Sequence, residues 1–126
     1  MDKGNQNVIV IFEVKLFPNK KEHYLKLAAE LKRLLNGAEG FVRAERFVSL
    51  KDEDKLISLN VWKSEKDVER WRNTMAHRMF QKEGKSKLFE SYRITVAHAV
   101  REYGNKERAK APEDSNKYLL EENDER

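Results

Sequence analysis

The stretch Val8-Ile9-Val10-Ile11-Phe12-Glu13-Val14-Lys15-Leu16-Phe17 decides the fold of this 126-residue chain. It is rich in β-branched and aromatic residues, which predicts a β-strand over residues 8–17. In its first half, apolar side chains occupy both alternating sets of positions. Both faces of this strand therefore need apolar cover.

A helix is predicted after the first strand, because apolar residues recur at helical spacing from Tyr24 to Leu35. Asn19 with Glu22 three residues later predicts a capping box at its start. Gly37 predicts a left-handed cap at its end.

Two further strands are predicted over 41–50 and 56–62, and together they form an antiparallel hairpin. A second helix is predicted to begin near Ser64. Asn73-Thr74 predicts a break that divides it into two pieces, because either residue can cap a new turn. A last strand is predicted over 92–103.

The order β-α-β-β-α-β predicts an α+β, ferredoxin-like fold: a four-stranded antiparallel sheet with both helices on one face. Nothing in the chain covers the opposite face, to which one alternating set of the first strand, such as Ile9 and Ile11, contributes. An apolar patch of that size is unusual on a soluble monomer. We therefore expect a homodimer, the commonest symmetric solution.

Residues 1–104 are predicted to form one domain, followed by a charged C-terminal extension over 105–126. The extension has few apolar residues besides Tyr118, Leu119 and Leu120. Two alternatives are open for it: a disordered, solvated tail, or an arm docked on the partner subunit.

Composition excludes several classes of function. The chain has no cysteine, which rules out disulfides and thiolate sites, and its three histidines lack metal-ligand spacing, so no metal site is expected. No apolar run is long enough to span a membrane, and no signal peptide is recognisable, so a cytoplasmic protein is expected. The net charge is only +4, and charges alternate in sign over 51–55, which argues against nucleic-acid binding.

Several stretches resemble the antibiotic-biosynthesis monooxygenase family: Leu56-Ile57-Ser58-Leu59-Asn60-Val61-Trp62, Trp71-Arg72-Asn73, His77-Arg78, Leu88-Phe89-Glu90-Ser91-Tyr92-Arg93 and Val100-Arg101-Glu102-Tyr103-Gly104. The resemblance covers about residues 7–104, and Arg108–Ser115 is similar to a tail in one uncharacterised bacterial subgroup. It implies a dimeric α/β barrel, in which two ferredoxin-like sheets pack face to face.

In the cofactor-independent oxygenases of this family, a tryptophan, an asparagine, a tyrosine and an arginine surround a pocket between the sheet and the helices. Residues of these types are Asn60, Trp71, Tyr92 and either Arg93 or Arg46. The resemblance thus implies a monooxygenase-like dimer that needs no cofactor and binds a small aromatic or quinone-like molecule.

The candidate catalytic residues are Trp71, His77 and Asn60, and the candidate substrate-binding residues are Phe12, Arg46, Arg78 and Tyr92. Each catalytic candidate has a structural alternative. Trp71 fits a core position as well as a pocket wall, and His77 fits a surface position unless the second helix breaks. Asn60 fits a cross-strand hydrogen bond as well as a pocket lining.

Two other functions remain as alternatives: a non-catalytic, stress-associated ligand-binding dimer, and a haem-binding or haem-degrading protein. The haem-degrading branch of the family uses a strand-one asparagine, a helix-two tryptophan and a histidine ten residues later. Trp71 matches, but Gln81 stands at the histidine position and strand one has Phe12-Glu13 instead of an asparagine. Glutamine is a poor axial ligand for haem iron.

Overall fold

The structure is a computed structural model that describes residues 6–82 and 87–124; within these ranges, the side chains of residues 76–77, 79–82 and 120–124 are not described. Seven elements follow one another along the chain: β1 (Val8–Leu16), α1 (Lys21–Asn36), β2 (Phe41–Val48), β3 (Lys55–Trp62), α2 (Glu65–Lys82), β4 (Phe89–His98) and α3 (Glu113–Asp124).

The four strands form one antiparallel sheet in the order β2-β3-β1-β4, so the central strand β1 pairs with both β3 and β4. Val10, for example, lies between Asn60 on β3 and Val96 on β4. The α+β, ferredoxin-like fold predicted from the sequence is confirmed.

The two faces of the sheet differ in what covers them. The β1 residues that pack with α1 and α2 in the core clusters all belong to one alternating set, which includes Val8 and Val14. Ile9 and Ile11 belong to the other set and point to the opposite face, together with their register partners Val61 and Leu59. We call this side of the sheet, which lies away from α1 and α2, the bare face. Val61 is nevertheless buried there, and the other three residues are half-buried.

Both predicted caps of α1 are wrong. Lys20 is the N-cap and makes no side-chain capping bond, whereas Asn19 adopts a left-handed conformation (φ 66°) in the turn before it. Gly37 has φ −100°, outside the left-handed region, although its N–H still donates to the Leu34 carbonyl at 3.2 Å. The glycine that needs its freedom is Gly40, at φ +80°.

The predicted break in α2 is also wrong, because the helix runs without interruption through Asn73 and Thr74. The Thr74 hydroxyl donates to the Arg70 carbonyl at 3.1 Å, a bond that accommodates threonine inside a helix. The predicted start is confirmed, since the Asp67 N–H donates to the Ser64 hydroxyl oxygen at 3.2 Å.

Strand β4 begins at Phe89, three residues before the predicted start, and it ends at His98 and not at Tyr103. His98 pairs with Val8, the first residue of β1, and beyond it the Ala99 N–H donates to the Asn7 carbonyl at 2.9 Å. The extension that follows contains α3. None of the described helices combines the length and apolar character needed to cross a bilayer.

A candidate ligand-binding cavity

A cavity of about 130 Å³ lies between the helix-covered face of the sheet and the two helices. Alternation along the strands directs every second side chain into it. The sheet side is lined from β1 by Val10 and Phe12, from β3 by Ser58, Asn60 and Trp62, and from the outer strands by Arg46, Ile94 and Val96.

The helices supply the other wall through residues at helical spacing. Helix α1 contributes Tyr24, Leu27, Ala28 and Leu31, and α2 contributes Val68, Trp71, Arg72 and Met75. Most of these side chains are apolar, so the cavity suits a ligand with an apolar body.

Aromatic packing fixes one end of the cavity. The Trp62 ring lies 5.5 Å from Phe41 and 5.9 Å from Trp71 between ring centroids, and Trp62 has no exposed surface. Trp71 is also buried, at 7% exposure. Trp71 is therefore both a core residue and a wall of the cavity, which unites the two alternatives left open by the sequence.

Apart from Arg72 on α2, the polar residues of the lining are few and lie close to one another in the sheet. The Asn60 amide donates to the Ser58 hydroxyl oxygen at 3.0 Å. Arg46 lies directly opposite Ser58 in the β2–β3 register. We call Arg46, Ser58 and Asn60 the polar strip; it lies on the sheet side of an otherwise mostly apolar space.

Two residues that line the cavity each have a buried donor without a hydrogen-bond partner in the described part of the chain: Arg46 at Nε and Trp62 at the indole Nε1. A buried N–H without an acceptor costs about 1–3 kcal/mol, so such groups call for an explanation.

Beside the cavity, the first turn of α2 is held by a small polar network. The Ser64 hydroxyl donates to the Asp67 carboxylate at 2.8 Å, and the Arg70 guanidinium also binds that carboxylate. The hydrogen bond from Ser64, followed by that from Arg70, lowers the pKa of Asp67 below its ordinary value. This network fixes the start of α2 and with it the position of Trp71.

Four of the predicted site residues line this cavity: Phe12, Arg46, Asn60 and Trp71. Tyr92 lies beside it, with its ring 5.8 Å from that of Phe12.

The other two predicted site residues are not placed in the cavity. Arg78 is exposed and lines a separate depression with Glu30, Arg33 and Leu34 of α1. The side chain of His77 lies outside the described residues.

Sequence reasoning missed Trp62 and Arg72. Trp62 ends an apolar strand, so its burial was foreseeable, but its unpaired N–H is visible only in the packed structure. Arg72 follows Trp71 directly, and its place at the cavity depends on how α2 rotates against the sheet.

Comparison with known proteins identifies the family. The family model for antibiotic biosynthesis monooxygenases matches residues 7–83. The jasmonate monooxygenase ABM of Pyricularia oryzae is 34% identical over 91 residues, which cover 72% of this chain and 42% of that protein. This chain therefore belongs to the antibiotic biosynthesis monooxygenase family, and it spans about two-fifths of the length of that curated relative.

Solved structures share the fold. A point mutant of SnoaB from Streptomyces nogalater, a cofactor-independent oxygenase, superposes with a TM-score of 0.65 at 11% identity, over 76% of this chain and 95% of that one. A conserved protein from Methanosarcina mazei Go1 gives a TM-score of 0.65 at 18% identity, over 75% and 94% of the two chains. At these identities the likeness establishes the fold alone.

Proposed function

We propose that this chain is the subunit of a homodimeric monooxygenase that acts without a cofactor on a small aromatic or quinone-like molecule in the cavity described above. The observation that carries the proposal is a mostly apolar cavity lined by Asn60 and Trp71, in which two further lining residues, Arg46 and Trp62, each have a buried donor without a partner among the described residues. The family and the oxygenase activity named for its relatives support it.

The chemistry needs little from the protein beyond binding and charge stabilisation. Loss of a proton from an activated CH₂ group leaves a carbanion, which reduces O₂ and combines with it to give a hydroperoxide. The hydroperoxide loses water and leaves a carbonyl group, so one oxygen atom enters the product and the other leaves as water. The substrate itself supplies the electrons.

Donors that stabilise the anion are the main catalytic requirement in this scheme. Asn60 is proposed for that role, while Arg46 binds the polar end of the substrate and Phe12, Trp71 and Tyr92 hold the ring system. The described lining contains no carboxylate or imidazole. Because α2 is unbroken, the condition under which the sequence favoured an inward-facing His77 is not met. The proposal therefore assigns the substrate proton to water and no role as base to His77.

Oxygen uptake tests the proposal directly. An electrode assay would use purified protein with an anthrone, a naphthoquinol and jasmonate, the last because a relative is named for it. We expect uptake with at least one of them, and a loss of about 10²–10³-fold in kcat when Asn60 is changed to alanine, the range seen on removing one anion-stabilising donor.

The matched control is Asn73→Ala, since Asn73 is an exposed asparagine on α2. It should leave oxygen uptake unchanged. Saturable binding without uptake for any compound would contradict the enzyme and favour a non-catalytic binding protein. A Soret band that saturates on haem titration would contradict cofactor independence.

A further inference from the structure

Among the described residues, Arg46 has no ion-pair partner. Its side chain is half-buried and lines the cavity, and its Nε is buried without an acceptor in the described part of the chain. Arg70, by contrast, is bound by the carboxylates of Asp67 and Glu39. A cation at the wall of a mostly apolar cavity, with no described carboxylate beside it, favours a ligand that carries a negative charge.

The charge of the cavity lining indicates the sign of the charge on the ligand. Arg46 and Arg72 both line it, and no aspartate or glutamate does so in the described part of the chain. Two cations without a carboxylate favour an anionic ligand and disfavour a cationic one.

The geometry of the polar strip favours a carboxylate over a single-oxygen anion such as a phenolate. A guanidinium presents parallel N–H groups in pairs that match the two oxygens of a carboxylate. Opposite Arg46, the Ser58 hydroxyl oxygen already accepts a hydrogen bond from Asn60, so its own hydrogen is available for donation. The strip thus offers donors to both oxygens of one carboxylate.

The volume of the cavity limits the rest of the ligand. A cavity of about 150 Å³ is known to hold one benzene ring, and this cavity measures about 130 Å³. It therefore holds one ring or a short apolar chain, whereas a fused three-ring system would have to project beyond the cavity. Leu27, Leu31 and Trp71 provide the apolar contacts for such a body.

We infer that the cavity selects small monocarboxylates with a single-ring or short apolar body, and that Arg46 is the residue that receives the carboxylate. This inference rests on the proposed function only in using the same cavity, since it concerns binding and not turnover. It narrows the substrate class from neutral quinone-like compounds to acids.

Binding of a matched pair of probes tests the inference without any reaction. Phenylacetate and phenylacetamide differ in charge but hardly in shape. Both tryptophans of the chain, Trp62 and Trp71, line the cavity, so intrinsic fluorescence reports its occupancy. Under nitrogen at pH 7.5, we expect phenylacetate to bind about tenfold more tightly than the amide, or better.

Variants of Arg46 locate the source of that preference. Arg46→Gln should weaken phenylacetate binding by about tenfold or more and leave phenylacetamide binding nearly unchanged. Arg46→Lys keeps the charge without the planar fork and should lose part of the preference. Arg101→Gln, which removes one exposed arginine outside the cavity, should change neither constant.

Equal binding of acid and amide by the wild-type protein would overturn the inference, and so would a preference that survives in a folded Arg46→Gln protein. Absence of a fluorescence response to either probe at millimolar concentration would also count against it. Oxygen uptake is measured separately, so acid selectivity without turnover would refute only the enzyme, and turnover of neutral substrates without acid selectivity would refute only this inference.

Discussion

The indole rings of Trp62 and Trp71 lie 5.9 Å apart between centroids at an interplanar angle of 34°, and they join the end of β3 to the middle of α2. Both residues belong to the core cluster that also contains Val8, Leu35 and Val68. The same contact that stabilises the fold therefore shapes the cavity.

Replacing Trp71 by alanine should lower the free energy of unfolding by about 3–5 kcal/mol, the range for removing a large buried aromatic side chain. Urea denaturation followed by circular dichroism measures this. Trp71→Phe keeps most of the packing and is the better variant for activity and binding assays. A loss below about 1 kcal/mol in Trp71→Ala would contradict a core role for this residue.

Gly40→Ala should destabilise the protein, because Gly40 has φ +80° and an added Cβ would meet the Asp67 carboxylate. The left-handed conformation alone costs a non-glycine residue about 1–2 kcal/mol, and the displaced carboxylate adds to that. Thermal denaturation measures the loss.

Gly37→Ala is the matched control for Gly40→Ala. Gly37 has φ −100°, and the nearest atom to an added Cβ is the Leu34 carbonyl oxygen at 3.9 Å. This variant should be neutral, or more stable by about 0.4–1 kcal/mol. Equal destabilisation of both variants would contradict the role assigned to Gly40.

Asp67 should make stability depend on pH at the acidic end. Its folded-state pKa lies below the ordinary value of 3.8, first because of the Ser64 hydrogen bond and then because of Arg70. A lowered pKa means that the contribution is fully present above pH 3.8 and is lost as the pH falls through the folded pKa. Urea denaturation at several pH values, from about 2 to about 7, measures it.

In Asp67→Asn, the free energy of unfolding should depend less on pH at the acidic end, because the titrating carboxyl group has been removed. Ser64→Ala should reduce the same pH dependence and also cost about 0.5–2 kcal/mol at neutral pH through loss of the helix cap. An unchanged acid profile in Asp67→Asn would show that other carboxylates dominate it.

The central strand could be predicted from the sequence because residues 8–17 are rich in β-branched and aromatic side chains. The caps of α1 could not, because the choice between Asn19 and Lys20 depends on the backbone conformation of the turn after β1, which residue types specify only weakly. The break predicted at Thr74 was wrong because a cap-forming residue inside a helix can instead donate a hydrogen bond to the preceding turn of that helix.

The candidate site was predictable where residue type and strand parity coincide, as for Asn60, a polar residue between Leu59 and Val61 that lines the cavity. Arg46 also lines the cavity, but it follows Glu45, and only the family resemblance pointed to it. Arg78 shows the limit: its place depends on how α2 rotates against the sheet, which the sequence does not specify. The unpaired indole N–H of Trp62 results from packing and cannot be recognised in the sequence.

Arg108 should hold the C-terminal extension together. Its guanidinium donates to Asn116 at 2.9 Å, to Ser115 at 2.7 Å and to the Gly104 carbonyl at 3.1 Å, and it lies 5.2 Å from the centre of the Tyr103 ring. These contacts join the start of α3 to the chain that leaves β4.

Arg108→Ala should speed amide hydrogen exchange over residues 104–117 and leave exchange in the sheet unchanged. Mass spectrometry of peptides measures both regions in one experiment. The control is Lys110→Ala, an exposed basic residue in the same segment. Unchanged exchange in Arg108→Ala would mean that other contacts, such as a partner subunit, order the extension.

The bare face should be the surface through which two subunits associate. Ile11 and Leu59 are register partners at the centre of this face, and neither belongs to the core clusters under the helices. We expect the wild-type protein to sediment at micromolar concentration with twice the 14.9 kDa subunit mass.

Leu59→Arg should shift that species toward the single-subunit mass, because an unpaired charge buried in an apolar interface costs about 3–5 kcal/mol. Leu25→Arg is the matched control, since Leu25 lies on α1 with 42% of its surface exposed and tolerates a charge there. A wild-type protein that sediments as a single subunit, or a dimer unaffected by Leu59→Arg, would contradict association through this face.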